Sequence, residues 1–139
     1  MRYDETVLCV AGSPVRAYRA GAGPPLVLLH GDGTDCARRS WEPAWVALTA
    51  RALVLAPDLP GHGGSPLGTT SPTPAGYATW LLAFLDRCGL GSVTLVGRSL
   101  GARIAVCTAA AAPDRVVAVV IIGDRPPRAT PAAPARPAT

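Results

Sequence analysis

The chain has 139 residues, of which 49% are hydrophobic and 16% charged, the size and make-up of one globular domain rather than a solvated disordered chain. The net charge is +4, but residues 1–124 carry ten arginines against nine acids, and the other three arginines fall in the last fifteen residues. So thin a basic footprint, with no aromatic beside it, speaks against nucleic acid as the partner. No apolar run reaches the roughly 18 residues that cross a bilayer.

In chain order, Thr6–Val10 and Val15–Ala20 read as short strands joined by a turn at Gly12-Ser13-Pro14. Pro25–His30 (PLVLLH) is a continuous apolar run, the pattern of a strand buried on both faces. Trp41–Ala50 reads as a helix and Ala52–Pro57 as the next buried strand. A loop rich in Gly, Ser and Thr follows from Gly61 to Thr70. Thr73 can cap a helix that has Pro74 at its first position. That helix runs to about Cys88, with Tyr77, Leu81, Phe84 and Cys88 on one face. Ser92–Val96 is a third buried strand, Leu100–Ala112 an Ala-rich helix stopped by Pro113, and Val116–Ile122 a fourth. Strands alternating with helices of this length imply right-handed βαβ units, hence an α/β fold with a parallel sheet. Residues 1–124 read as the folded unit. Residues 125–139, RPPRATPAAPARPAT, read as a disordered or polyproline-like tail.

The N-terminus, MRYDE, has acids where a signal peptide needs its apolar stretch, so a cytoplasmic location is expected. Cys9, Cys36, Cys88 and Cys107 are widely spaced and far from any CxxC pattern, and read as reduced, small apolar core residues. The chain has no lysine and therefore no Walker-type phosphate loop, and Gly21-Ala22-Gly23 lacks the third glycine of a dinucleotide fingerprint. Asp32 and Asp35 lack the ligand spacing of a calcium loop. Neither a metal nor a cofactor is expected.

The chemistry is carried by Gly97-Arg98-Ser99-Leu100-Gly101, a GxSxG segment between the strand SVTLV and the helix LGARIAV. So tight a strand-to-helix turn strains the serine backbone, needs small neighbours, and holds the hydroxyl at the carboxyl end of the sheet. The helix N-terminus beneath it aims N–H groups at developing negative charge. Arg98 reads as a solvated or strand-facing residue, with contact to an anionic group as the alternative.

Two further segments join it: LLHGDG, residues 28–33, and APDLPGHGGS, residues 56–65. In this order and spacing the three resemble the recurrent motifs of the α/β-hydrolase family, over about residues 6 to 124. The resemblance implies an eight-stranded, mostly parallel sheet in a complete member, of which this chain would supply about six strands, a truncated version of the fold. It implies Ser99 as nucleophile, with the backbone N–H groups of Leu100 and Asp32 (Gly33 as the alternative to Asp32) forming the oxyanion hole. The substrate would be a small molecule with an ester or related acyl bond. His30 and His62 correspond to loop-holding histidines. The family's base follows the nucleophile in sequence, yet both histidines here precede Ser99, so impaired catalysis is expected. Asp124, ending the run VVAVVII, is a candidate acid on position, and equally a solvated strand-end residue. A non-catalytic remnant or interaction module stands as the alternative. In that reading Val116–Ile122 is an exposed apolar edge, open to self-association or to a complementing fragment.

Overall fold

A computed structural model describes residues 4–123 of the chain. The expected tail and Asp124 lie outside the described residues. Six strands form one sheet: β1 (Asp4–Val10), β2 (Ser13–Ala20), β3 (Pro25–Leu29), β4 (Leu53–Pro57), β5 (Val93–Arg98) and β6 (Val116–Ile122). Three helices accompany them: α1 (Ala37–Thr49), α2 (Pro74–Arg87) and α3 (Leu100–Ala111). The strand order is β1-β2-β4-β3-β5-β6. The β1–β2 hairpin is antiparallel and pairs antiparallel with β4, while β4, β3, β5 and β6 run parallel. This is the α/β architecture with a mostly parallel sheet that the sequence predicts.

The continuous apolar runs of β3, β4 and β5 are explained by burial on both faces, whereas β6, read from its sequence as a fourth buried strand, lies at the sheet edge with Val117, Val120, Ile121 and Ile122 exposed. Val27 and Leu29 of β3, Leu55 of β4 and Leu95 of β5 face α2 and α3, meeting Tyr77, Leu81, Phe84 and Ile104. The alternate residues Leu28, Val54 and Val96 face α1 and pack on Trp41 and Trp45. A period of two thus divides each strand between two apolar layers. Tyr77, Leu81 and Phe84 share the buried face of α2, with Cys88 packed at its margin.

Thr73 caps α2 as expected, its Oγ1 accepting the Gly76 N–H at 3.0 Å. The start of α1 differs from the sequence reading: it begins at Ala37, four residues before Trp41. Its cap residue, Cys36, supplies no side-chain acceptor, and the Ala37 N–H is instead taken by Asp58 Oδ1 at 2.9 Å. A carboxylate 21 positions away does the capping. The hairpin turn is also tighter than read: Ser13 and Pro14 belong to β2, and Ala11-Gly12 make the turn at positive φ.

The cysteines require a correction. None lies in the fully buried core: Cys9 is exposed, and Cys36, Cys88 and Cys107 are half-buried free thiols. Cys9 belongs to an edge strand, β1, whose residues are largely solvent-facing. Among the described residues no helix is long and apolar enough to cross a membrane.

Candidate active site

Strand register assembles the site. Strands β3 and β5 are parallel neighbours in which Leu29 pairs with Gly97. Two residues beyond each, Gly31 and Ser99 leave the sheet at the same carboxyl end. A Cβ placed on Gly31 would lie 3.4 Å from the Ser99 Cβ. The HGDG loop and the GxSxG turn are therefore neighbours although Gly31 and Ser99 are 68 positions apart in sequence.

Ser99 itself sits at φ 54°, ψ −115°, between the end of β5 and the start of α3. A side chain other than glycine in this region costs about 1–3 kcal/mol of backbone strain, which the flanking elements must hold in place. The glycines make that possible. A Cβ on Gly97 would collide with the Gly101 carbonyl, and one on Gly101 would collide with the carbonyls of Leu29 and His30. Helix α3 thus lies directly on β3 with no room for a methyl group. Ser99 is exposed, whereas Leu100 beside it is buried. The first N–H groups of α3 have no acceptor within the helix and point toward the serine end, where the helix dipole is positive.

The facing loop is held by Asp35. Its Oδ2 accepts the Gly31 N–H at 2.8 Å and the Ser40 hydroxyl at 2.6 Å, and its Oδ1 accepts the Cys36 N–H at 2.8 Å. Partial burial works to raise the Asp35 carboxyl, but these three hydrogen bonds outweigh it and hold the group below its ordinary value of 3.8. Asp32 is exposed, its carboxylate 3.6 Å from Arg103 of α3. Gly31, Asp32, Asp35, Arg39, Arg98 and Ser99 line an open cleft of about 310 Å³.

Both histidines are engaged in loop contacts. His30 is fully buried. Its Nδ1–H donates to Gly31 O at 2.6 Å and its Nε2 accepts the Leu59 N–H at 3.0 Å, which fixes one neutral tautomer. Burial pulls its pKa below the usual 6.5. His62 donates from Nδ1 to Pro60 O at 3.3 Å and packs edge-on against His30, ring centroids 5.1 Å apart. Neither ring lines the cleft at Ser99.

Asp58 is the second organising carboxylate, and is fully buried. Besides the Ala37 N–H, it accepts from Gly64 N–H at 2.8 Å and from Arg16 Nε at 2.8 Å. It ties together the start of α1, the loop after β4, and β2. Sequence reading places Asp58 inside a motif but does not reveal this role, because its ion-pair partner Arg16 lies 42 positions away. Asp35 leaves a fainter signal, an acid shortly before a helix. Its weak calcium-loop spacing draws attention away from the three donors it serves.

A protein-family model described as the alpha/beta hydrolase fold matches residues 24–137. The chain belongs to the α/β-hydrolase family. This α/β-hydrolase chain is 36% identical over 106 residues to 2-(acetamidomethylene)succinate hydrolase from Mesorhizobium japonicum, covering 76% of this chain and 37% of that protein. It is 35% identical over 115 residues to the dihydrolipoyllysine-residue acetyltransferase component of the acetoin cleaving system from Pseudomonas putida, covering 81% of this chain and 30% of that one. Among solved structures, it resembles a Vigna radiata epoxide hydrolase mutant with a TM-score of 0.80 at 29% identity, covering 88% of this chain and 39% of that one. The chain therefore spans about a third of the length of the curated relatives it matches.

Proposed function

We propose that this α/β-hydrolase chain carries the nucleophile and oxyanion hole of a serine hydrolase acting on esters or related acyl bonds. Ser99 Oγ attacks the acyl carbonyl carbon and passes its proton to a base. The tetrahedral oxyanion is held by the N–H groups of Leu100 and Asp32, and its collapse expels the alcohol, which takes the proton back from the base. This leaves an acyl-serine that a water activated by the same base hydrolyses to the acid and free Ser99. Asp35 takes the Gly31 N–H, which leaves the Asp32 amide, with that of Gly33 as the alternative, for the oxyanion. The observation carrying this reading is the strained, exposed Ser99 at the head of α3, with Gly31 packed beside it. The relatives named above include a hydrolase, which supports a hydrolytic reading.

His30 has both ring nitrogens in buried hydrogen bonds, and His62 is turned to Pro60 and His30. The chain has only these two histidines. The base must therefore come from outside this stretch of polypeptide, and the chain alone turns substrate over poorly. The test is p-nitrophenyl acetate cleavage by the full chain and by Ser99→Ala, with and without added imidazole as a surrogate base. Imidazole-dependent release of p-nitrophenol that Ser99→Ala abolishes supports the reading. Equal release from both proteins contradicts it, and robust Ser99-dependent turnover without imidazole contradicts the missing base.

A second reading, an interaction module, is favoured by β6. This strand is the last in the sheet order and exposes Val117, Val120, Ile121 and Ile122. An apolar edge of this kind pairs readily with another strand. Sedimentation velocity would show concentration-dependent association, weakened by Val117→Lys. A monomer at all concentrations rejects this reading.

A further inference from the structure

The cleft beside Ser99 is lined by two carboxylates and two arginines, and carries one net positive charge once Asp32 is paired with Arg103 of α3. Of its two carboxylates, Asp35 spends both oxygens on Gly31, Cys36 and Ser40, and Asp32 is paired with Arg103. Its two arginines, Arg39 of α1 and Arg98 at the end of β5, are exposed and make no ion pair among the described residues. They arrive from different elements, one on the HGDG side of the cleft and one next to Ser99. Asp35 keeps its charge but turns both oxygens to neutral donors, so the two guanidiniums are the cationic groups left to meet whatever approaches the serine. A guanidinium offers planar, paired N–H donors that match a carboxylate, and it keeps its charge at any physiological pH.

We infer that Arg39 and Arg98 form an anion-binding pair that selects acyl substrates bearing a carboxylate, a reading that rests on Ser99 being the attacking group. The carboxylate docks between the two guanidiniums and places the scissile carbonyl over Ser99. A neutral ester of the same shape lacks this anchor. Both side chains are exposed, so their replacement leaves the core intact.

The test compares acylation of Ser99 by 4-nitrophenyl hydrogen succinate and by its neutral methyl ester, both with imidazole present. The full chain should prefer the anionic ester. That preference should fall about tenfold in Arg39→Gln and in Arg98→Gln, the loss expected for one charge-assisted hydrogen-bonding partner. Arg→Lys at each position should restore part of it, and added salt should weaken it in the full chain. Equal rates for the two esters in the full chain, or an unchanged preference in both Gln variants, overturns the inference. If neither ester acylates Ser99, the nucleophile reading fails, and anion binding is then decided separately by NMR titration with monomethyl succinate. Shifts at the Gly31–Asp35 and Arg98–Leu100 amides that vanish in the Gln variants uphold the pair. Shifts that persist in those variants, or no shifts at all, overturn it.

Discussion

Leu29 of β3 and Gly97 of β5 are parallel ladder partners, and this one pairing fixes which loops meet at the rim of the sheet. Because the strands run in the same direction, every residue past that pair advances in step. Gly31 and Ser99 are each two residues further on, which is why a loop near residue 31 and a turn near residue 99 close on a shared cleft.

The closeness of α3 to β3 makes Gly101 intolerant of any side chain. A methyl group there meets backbone carbonyls of Leu29 and His30, atoms that cannot rotate away. Gly101→Ala should lose about 3 kcal/mol of stability, at the upper end of overpacking costs. Urea unfolding monitored by tryptophan fluorescence measures it. Gly91→Ala, where an added Cβ meets open space, is the control and should unfold near the parent midpoint.

Asp35 should matter to acylation as well as to folding. Asp35→Ala frees the N–H groups of Gly31 and Cys36 and the Ser40 hydroxyl, at a cost of about 1–3 kcal/mol of stability. The HGDG loop then loses its fixed distance from Ser99, and imidazole-assisted acylation should slow by about tenfold or more. Hydrogen exchange at Gly31 should quicken in the same variant. Unchanged acylation would show that Asp35 has no part in positioning the loop.

His30 predicts a specific pH dependence. Its folded pKa is depressed by burial below 6.5, so the unfolded chain binds the proton more readily than the folded one. Stability from this group is complete above pH 6.5 and is lost as pH falls from there through the folded pKa. Protonation at Nε2 would also displace the Leu59 N–H. Denaturant midpoints measured across this range should decline in the parent and flatten in His30→Gln. The Asp35 contribution is lost in a separate window, as pH falls below 3.8 through its lowered folded value.

The parts of this structure that depend on local pattern were legible in the sequence. Val116–Ile122 runs over the same residues as β6, and Thr73 and Pro74 open α2 as their chemistry requires. GxSxG sits where β5 becomes α3. What depends on contacts distant in sequence was not legible. The first turn of α1 exists because Asp58 caps it from beyond β4, and no property of residues 37–40 announces that. The sheet order β2-β4-β3-β5 is set by crossovers, so the adjacency of Gly31 and Ser99 is a property of topology, not of either motif. Cys9 looked like a core residue by composition, yet its strand is at an edge.

The central claim is that the turn at Ser99 presents an attacking hydroxyl. It is tested most directly by treating the full chain with a fluorophosphonate probe in the presence of imidazole and mapping the adduct by peptide mass spectrometry. The account predicts a single phosphonylated residue, Ser99, with no labelling of Ser99→Ala or of unfolded chain. A folded chain that stays unlabelled at Ser99, or is labelled equally at other serines, would contradict it.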